Sequence, residues 1–148
     1  MHTLTKIVLS LLFATLHAHA HAQETMTVGD LKAKEAKLLS KDEVVKLLSG
    51  HDYHQTTSSY QQRWTLNADG SSKGSNVPKV QSVMQQPAGG EAKWSVNDQG
   101  EFCLDGKWYF RNPTPVKFCQ QVYQLGDTYY RFSSKAPDSV AAVQFEVK

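Results

Sequence analysis

The fold is decided by residues 92–132, AKWSVNDQGEFCLDGKWYFRNPTPVKFCQQVYQLGDTYYRF. Residues 92–96 and 101–104 flank the turn sequence Asn-Asp-Gln-Gly, which predicts a β-hairpin. Residues 116–125 and 128–132 flank Gly-Asp and predict a second hairpin. Two consecutive hairpins favour an antiparallel sheet.

Further strand-like segments lie on both sides of this stretch. Residues 60–67 are strand-like and are followed by the Asp69-Gly70 turn, and residues 140–147 alternate apolar with polar side chains, as a half-buried strand does. Residues 71–90 are rich in Ser, Gln, Gly and Pro. They predict one strand at about residues 79–84, followed by a loop that ends at Gly89-Gly90.

These segments together predict a mainly β domain. About seven or eight short antiparallel strands follow one another as a meander, which closes as a small barrel or folds as a sandwich. Pro113 and Pro115 are expected to interrupt one strand, because proline donates no ladder hydrogen bond. The chain has no repeated βαβ spacing, which argues against a nucleotide-binding α/β fold.

One helix is expected before the strands. Residues 40–43, Ser-Lys-Asp-Glu, match the capping box that starts a helix, and Gly50 is placed to end it. The prediction is therefore a helix near residues 41–49. Residues 23–39 are polar and predict a lead-in, and residues 40–148 form a single domain.

The first 22 residues have the three parts of a secretory signal peptide. Lys6 supplies the positive start, residues 7–16 form an apolar run, and small residues follow. Cleavage after Ala22 is preferred, with Ala20 as the alternative. The apolar run is shorter than the roughly 20 residues of a membrane-spanning helix. A periplasmic or secreted protein without a transmembrane segment after cleavage is the prediction.

The charge of the mature chain is nearly balanced. Removing Lys6 with the leader leaves 15 of the 16 Lys and Arg residues against 14 Asp and Glu residues, a formal charge of +1. Nucleic-acid binding requires a basic face that neutralises phosphates. The composition therefore predicts no nucleic-acid partner.

Both cysteines, Cys103 and Cys119, lie in the mature part. An even number of cysteines in an exported chain favours a disulfide. A pair of catalytic thiols is the competing interpretation, but the spacing is far from Cys-x-x-Cys.

One motif resembles a known family. Residues 94–103, WSVNDQGEFC, followed by Trp108 and Cys119, resemble a pattern in small exported proteobacterial proteins grouped as domain of unknown function 995. The Asp69-Gly70 turn and the preceding helix are also similar. The resemblance spans roughly residues 38–132. It implies an exported β-rich fold whose Trp and Cys residues are structural, and it implies no activity.

Aromatic residues provide the candidates for a ligand or partner surface. The mature domain is rich in them, and most must pack in the core. Where aromatic residues are adjacent on a strand, alternation sends at least one of them outward. The candidates are Trp94, Trp108, Tyr109, Tyr129 and Tyr130.

His51 and His54 are the candidates for a metal site. Two imidazoles near a carboxylate are possible ligands. On a strand, however, positions i and i+3 point to opposite faces, so only a turn would bring them together. Cleavage after Ala20 would also leave His21 at the N-terminus, where its amino group and imidazole could chelate copper.

The function hypothesis that follows is a non-enzymatic binding module. The chain has no Gly-x-Ser-x-Gly nucleophile motif, no catalytic residue is assigned, and no cofactor is expected. The partner would be a small ligand or an unknown envelope protein. The alternatives are a metal-binding protein or metalloenzyme of the envelope that uses His51 and His54, and a purely structural envelope protein.

Overall fold

The computed structural model describes residues 25–80 and 86–148. Within this part of the chain it contains two helices, α1 (Val28–Ala33) and α2 (Lys41–Leu48). The strands are β1 (Lys37–Leu38), β2 (His51–Thr56), β3 (Tyr60–Leu66), β4 (Ser71–Pro78), β5 (Ala88–Val96), β6 (Phe102–Tyr109), β7 (Pro113–Leu125), β8 (Thr128–Phe132) and β9 (Val143–Val147). The predicted leader lies outside the described residues.

The strands β2 to β9 close into an antiparallel barrel. Each pairs with the next along the chain, and β9 returns to pair with β2. The short β1 lies outside this ring and pairs with β7. The predicted antiparallel meander is therefore confirmed, and it takes the barrel form rather than the sandwich. The described residues contain nine strands, more than the seven or eight expected.

Two predictions about the strands are wrong. Pro113 and Pro115 do not interrupt a strand but lie in the first residues of β7, opposite Tyr109 and Lys107. This part of β7 pairs with β6 only, since β8 pairs with β7 from Gln121 onward, so a residue without an N–H is tolerated there.

The strand predicted at residues 79–84 is also misplaced. Strand β4 ends at Pro78, and Lys79 and Val80 are not in a strand. The rest of that prediction, in residues 81–84, lies outside the described residues. Gly89-Gly90, expected to end a loop, belongs instead to β5.

Aromatic side chains fill the middle of the barrel. The rings of Trp64 on β3 and Trp108 on β6 have centroids 4.2 Å apart. They lie directly over Gly74 and Gly90, where an added Cβ atom would be 2.7 Å and 2.6 Å from a ring atom of Trp108. Real Cβ atoms do not approach so closely, so the two indoles pack only because these positions have no side chain.

Helix α2 closes one end of the barrel. Val44 and Leu48 are fully buried in the same core cluster as Leu39. The capping box is formed, with the N–H of Glu43 donating to the Ser40 hydroxyl and the N–H of Ser40 donating to the Glu43 carboxylate at 2.9 Å. The helix thus starts where its sequence signal predicts.

Replacing Ser40 with alanine should lower the free energy of unfolding by about 1 kcal/mol, because the N–H of Glu43 loses its acceptor at the start of α2. Urea denaturation followed by tryptophan fluorescence measures this loss. Ser49→Ala, at the other end of the helix, is the matched control. The Ser49 side chain makes no hydrogen bond within the described chain, so equal losses in the two variants would contradict the assignment.

Glu43 predicts a pH dependence for the same helix end. The Lys37 ammonium, together with the backbone and hydroxyl of Ser40, lowers the pKa of Glu43 from 4.5 to about 2. Because the folded pKa lies below the unfolded one, the stabilisation is present above pH 4.5 and is lost as the pH falls towards 2. Glu43→Gln should therefore lower the melting temperature at pH 7 more than at pH 2.5. An equal decrease at both pH values would contradict this account.

The segment predicted as a polar lead-in is part of the fold. Val28 and Leu31 of α1 are fully buried, and they form a second apolar cluster with Tyr130 and Phe132 of β8. Helix α1 therefore packs on the outer side of the barrel wall. Strand β8 is consequently buried on both of its faces.

Candidate ligand-binding site

The end of the barrel opposite α2 has a polar interior. Gln55 on β2 lies opposite Gln62 on β3, which in turn lies opposite Asn76 on β4. Gln120 on β7 and Arg131 on β8 complete the set. Barrel interiors are usually filled by apolar side chains, so this concentration of amides around a guanidinium marks the end as a candidate site.

Arg131 is the central residue of this polar end. It is only 7 % exposed, although arginine is seldom buried without a partner of opposite charge. Its Nε donates to the hydroxyl of Tyr53 at 2.8 Å, its Nη2 donates to the amide oxygen of Gln55 at 2.9 Å, and its Nη1 donates to Gln120. Its guanidinium carbon lies 4.0 Å from the ring centroid of Phe118, which fixes the plane of the group.

All three acceptors of Arg131 are neutral. None of the ion pairs within the described residues includes Arg131. Burying a charge is costly unless a counter-charge and hydrogen bonds compensate for it. Here the hydrogen bonds are provided but the counter-charge is not, so the pocket around Arg131 favours a negative group.

Tyr53 and Arg131 direct their hydrogen bonds to one atom. The hydroxyl of Tyr53 donates to the amide oxygen of Gln55 at 2.8 Å, and the same oxygen accepts the bond from Arg131. Burial raises the pKa of Tyr53 above 10.0, with the Arg131 charge opposing in part. The phenol therefore stays protonated at neutral pH and remains a donor.

A cleft in the barrel wall reaches this cluster. The pairing of β2 with β9 includes Tyr53–Val147 and His54–Glu146, is continued by backbone hydrogen bonds between Asp52 and Lys148, and ends at His54, although β2 continues to Thr56. Next to the end of this ladder lies a cavity of about 310 Å³, lined by Gln55 and Gln62 among others. A neighbouring cavity of about 410 Å³ also includes Gln55. Gln55 thus contacts the cleft on one side and Arg131 on the other.

Asn76 adds a second sign of incomplete polar pairing. It is 2 % exposed and its Oδ1 has no hydrogen-bond partner within the described residues. Its strand neighbour across the ladder is Gln62, which lines the cleft. A buried unpaired acceptor costs about 1–3 kcal/mol, so the polar end has hydrogen-bonding capacity that the protein itself does not use.

Comparison with family models decides the membership of the chain. The model described as "Protein of unknown function (DUF995)" matches residues 9–140. The chain belongs to this family. The resemblance seen in residues 94–103 is therefore confirmed, and the family description assigns no activity.

No curated protein and no solved structure matches the chain. Among the described residues, no helix is both long and apolar enough to cross a membrane.

The five candidate aromatic residues differ in their exposure to solvent. Trp94, Trp108 and Tyr130 are 7 %, 6 % and 7 % exposed, so they do not belong to an exposed surface. The two tryptophans point into the barrel, and Tyr130 is covered by α1. Tyr129 is half-buried beside Phe145, with ring centroids 5.8 Å apart.

Tyr109 is the candidate that reaches solvent. It is 42 % exposed on the outer face of β6, where its hydroxyl donates to Glu91 at 2.9 Å. The five residues therefore do not form one surface. Alternation sends Tyr109 and Tyr130 to the outer face, where Tyr109 reaches solvent and Tyr130 is covered by α1.

His51 and His54 both lie on β2 and line different cavities. His51 faces a groove beside α2, whereas His54 lines the cleft. Burial, followed by the nearby Lys148 charge, lowers the pKa of His54. Among the described residues there is no group of three or more His, Cys, Asp or Glu side chains that could hold a metal ion.

The predicted disulfide is confirmed. Cys103 and Cys119 lie directly opposite each other on β6 and β7, with an S–S distance of 2.00 Å. Phe102 and Leu104, the neighbours of Cys103, are buried in the barrel core, so the bridge lies on the outer face of the wall. It is therefore outside the wall, although its chain neighbours Phe118 and Gln120 contact Arg131.

Sequence reasoning missed the residues of the polar end. In β8, Tyr130 and Phe132 alternate with Arg131, and an apolar inner face would send the arginine out to solvent. The apolar pair instead packs under α1, and Arg131 points inward. The sequence signal that could have revealed this arrangement lies in residues 25–36. Val28 and Leu31 in this segment are apolar and must pack against another apolar surface, which is the outer face of β8.

Proposed function

We propose that the protein is an exported, non-enzymatic binding module that takes a small ligand through the cleft between β2 and β9. The observation that carries this proposal is the early end of the β2–β9 ladder beside a cavity of about 310 Å³. Concave sites of this size with a few converging polar groups are typical of small-molecule binding.

The chemistry of the inner groups supports binding rather than catalysis. The Tyr53 hydroxyl is protonated at neutral pH, and burial raises its pKa further, while the Arg131 guanidinium has hydrogen-bond donors only. Neither group serves as a general base near neutral pH. Both groups act as fixed hydrogen-bond donors, which suits recognition of a ligand's oxygen atoms.

Export is supported by the leader and the disulfide together. Disulfides persist in oxidising compartments and are rare in the cytosol. The Cys103–Cys119 bridge is therefore compatible with delivery to the periplasm or the exterior.

Native mass spectrometry of the protein purified from its own cell envelope tests the binding role. We expect a non-covalent adduct that is lost on denaturation. Gln62→Trp should abolish this adduct, since Gln62 lines the cleft and the indole would fill it. Arg63→Trp is the matched control, because the neighbouring side chain lies on the outer face of β3 and is 54 % exposed.

Two results would contradict the binding role. The first is wild-type protein that carries no adduct, and the second is an adduct that survives in Gln62→Trp. The intact mass of the same material tests export. It should correspond to a chain that starts at Gln23 or His21, and retention of residues 1–20 in the envelope fraction would count against the leader.

A further inference from the structure

We propose that Arg131 and Tyr53 form a carboxylate-binding site, in which the amide oxygen of Gln55 stands where an oxygen of the ligand binds. The proposal rests on the binding function above and names its ligand class, a small carboxylate. It starts from one atom, the Oε1 of Gln55, which accepts hydrogen bonds from Tyr53 at 2.8 Å and from Arg131 at 2.9 Å.

The donors around this oxygen suit an anion better than an amide. Hydrogen bonds between ionised groups are about twice as strong as neutral ones, and arginine pairs well with planar carboxylates. A side-chain amide is planar and has the same outline as a carboxylate. A carboxylate that replaces it keeps both hydrogen bonds and adds the charge that Arg131 lacks within the described residues.

Arg131 has donors left for a second oxygen. A guanidinium carries five N–H bonds, and the three acceptors Tyr53, Gln55 and Gln120 take one each. The remaining two belong to the terminal nitrogens Nη1 and Nη2. The second carboxylate oxygen can therefore bind without displacing Tyr53 from Nε.

Gln55 is placed to exchange with a ligand. It is half-buried and lines both cavities of the cleft, so rotation of its side chain moves the amide from Arg131 towards solvent. The released position opens directly to the cavity of about 310 Å³. Phe118 holds the guanidinium in one plane during this exchange, because the ring lies 4.0 Å from it.

The first experiment puts a carboxylate into the site without any ligand. In Gln55→Glu, the introduced group should pair with Arg131 and Tyr53 and raise the melting temperature at pH 7 by several degrees. Its pKa should fall below the usual value of about 4.3, because the guanidinium favours the charged form. The gain is thus present above pH 4.3 and should be lost as the pH falls below it.

Gln62→Glu is the matched control for this substitution. Gln62 is also half-buried, lines the same cleft and lies opposite Gln55 in the ladder, but it makes no hydrogen bond to Arg131. It should not raise the melting temperature. In the Arg131→Gln background, Gln55→Glu should give no gain relative to the Arg131→Gln single variant, which assigns the gain in melting temperature to the pair with Arg131. A Gln55→Glu protein no more stable than wild type at pH 7 would overturn the proposal.

The second experiment uses added probes, namely acetate and benzoate, with acetamide and benzamide as neutral analogues and inorganic phosphate as a different anion. The carboxylates should raise the melting temperature of the wild type and leave Gln55→Glu unchanged, since its site is already filled. The neutral analogues should have no effect. Stabilisation by phosphate and not by the carboxylates would overturn the ligand class.

The two experiments separate this inference from the proposed function. Gln55→Glu could be stabilised through Arg131 while no added carboxylate raises the melting temperature of the wild type. In that case Arg131 does bind a carboxylate, and the proposed entry of a ligand through the cleft is wrong. If the carboxylates raise the melting temperature of both the wild type and Gln55→Glu, the proposed binding function is supported and the proposed role of Gln55 is wrong.

Discussion

Gly90→Ala should lower the free energy of unfolding by roughly 3 kcal/mol, the upper part of the range for overpacking a core. A Cβ atom at this position would lie 2.6 Å from Trp108 and 2.8 Å from Trp64. Both indoles are almost fully buried and pack on each other, so neither has room to move aside. Urea denaturation gives the loss, and near-UV circular dichroism reports the disturbed tryptophan pair.

The adjacent residue provides a matched control for Gly90. Gly89 lies on the outer face of the same strand, and the nearest atom to an added Cβ is 4.0 Å away. Gly89→Ala should be neutral or stabilising by about 0.4–1 kcal/mol, through the reduced entropy of the unfolded chain. Trp108→Phe should recover part of the Gly90→Ala loss, because the smaller ring leaves room for the methyl group. Equal effects at Gly89 and Gly90 would contradict the close packing of the two indoles over Gly90.

The hairpins could be predicted because their signals are local. Gly70 and Gly100 have positive φ values of 84° and 77° at turns where the sequence contains Asp-Gly and Gln-Gly. Turn chemistry of this kind depends on a few adjacent residues. The same is true of α2, whose capping box lies within four residues.

Barrel closure could not be predicted in the same way. The pairing of Tyr53 with Val147 and of His54 with Glu146 joins the first and last barrel strands, and no local pattern specifies such a distant contact. The role of Gly74 and Gly90 was missed for the same reason. Their constraint comes from indoles on other strands, and along the chain they look like loop residues.

The candidate site was missed because a strand pattern assumes one buried face. Strand β8 is buried on both faces, by the barrel interior at Arg131 and by α1 at Tyr130 and Phe132. The polar side chain in this strand, Arg131, therefore points into the barrel and not to solvent. Three of the five aromatic residues predicted as a surface, namely Trp94, Trp108 and Tyr130, are buried, and the polar side chains inside the barrel are amides and an arginine.

Loss of the Cys103–Cys119 bridge is the other large expected effect. The two residues are separated by 16 positions in the chain, and opening a loop of this length should lower the free energy of unfolding by about 3 kcal/mol in the chain-entropy model. The double variant Cys103→Ser/Cys119→Ser should show this loss in urea denaturation. The fold itself should persist, because the β6–β7 ladder continues on both sides of the bridge, from Phe102–Gln120 to Tyr109–Pro113.

A reductant distinguishes the effect of losing the disulfide from the effect of the two serine substitutions. Dithiothreitol should lower the melting temperature of the wild type and leave that of the double variant unchanged, since only the wild type has a bond to break. Wild-type protein that is equally stable with and without the reductant would contradict a stabilising bridge. Protein produced without residues 1–22 in a reducing cytosol should likewise have the lower melting temperature and should gain stability on oxidation.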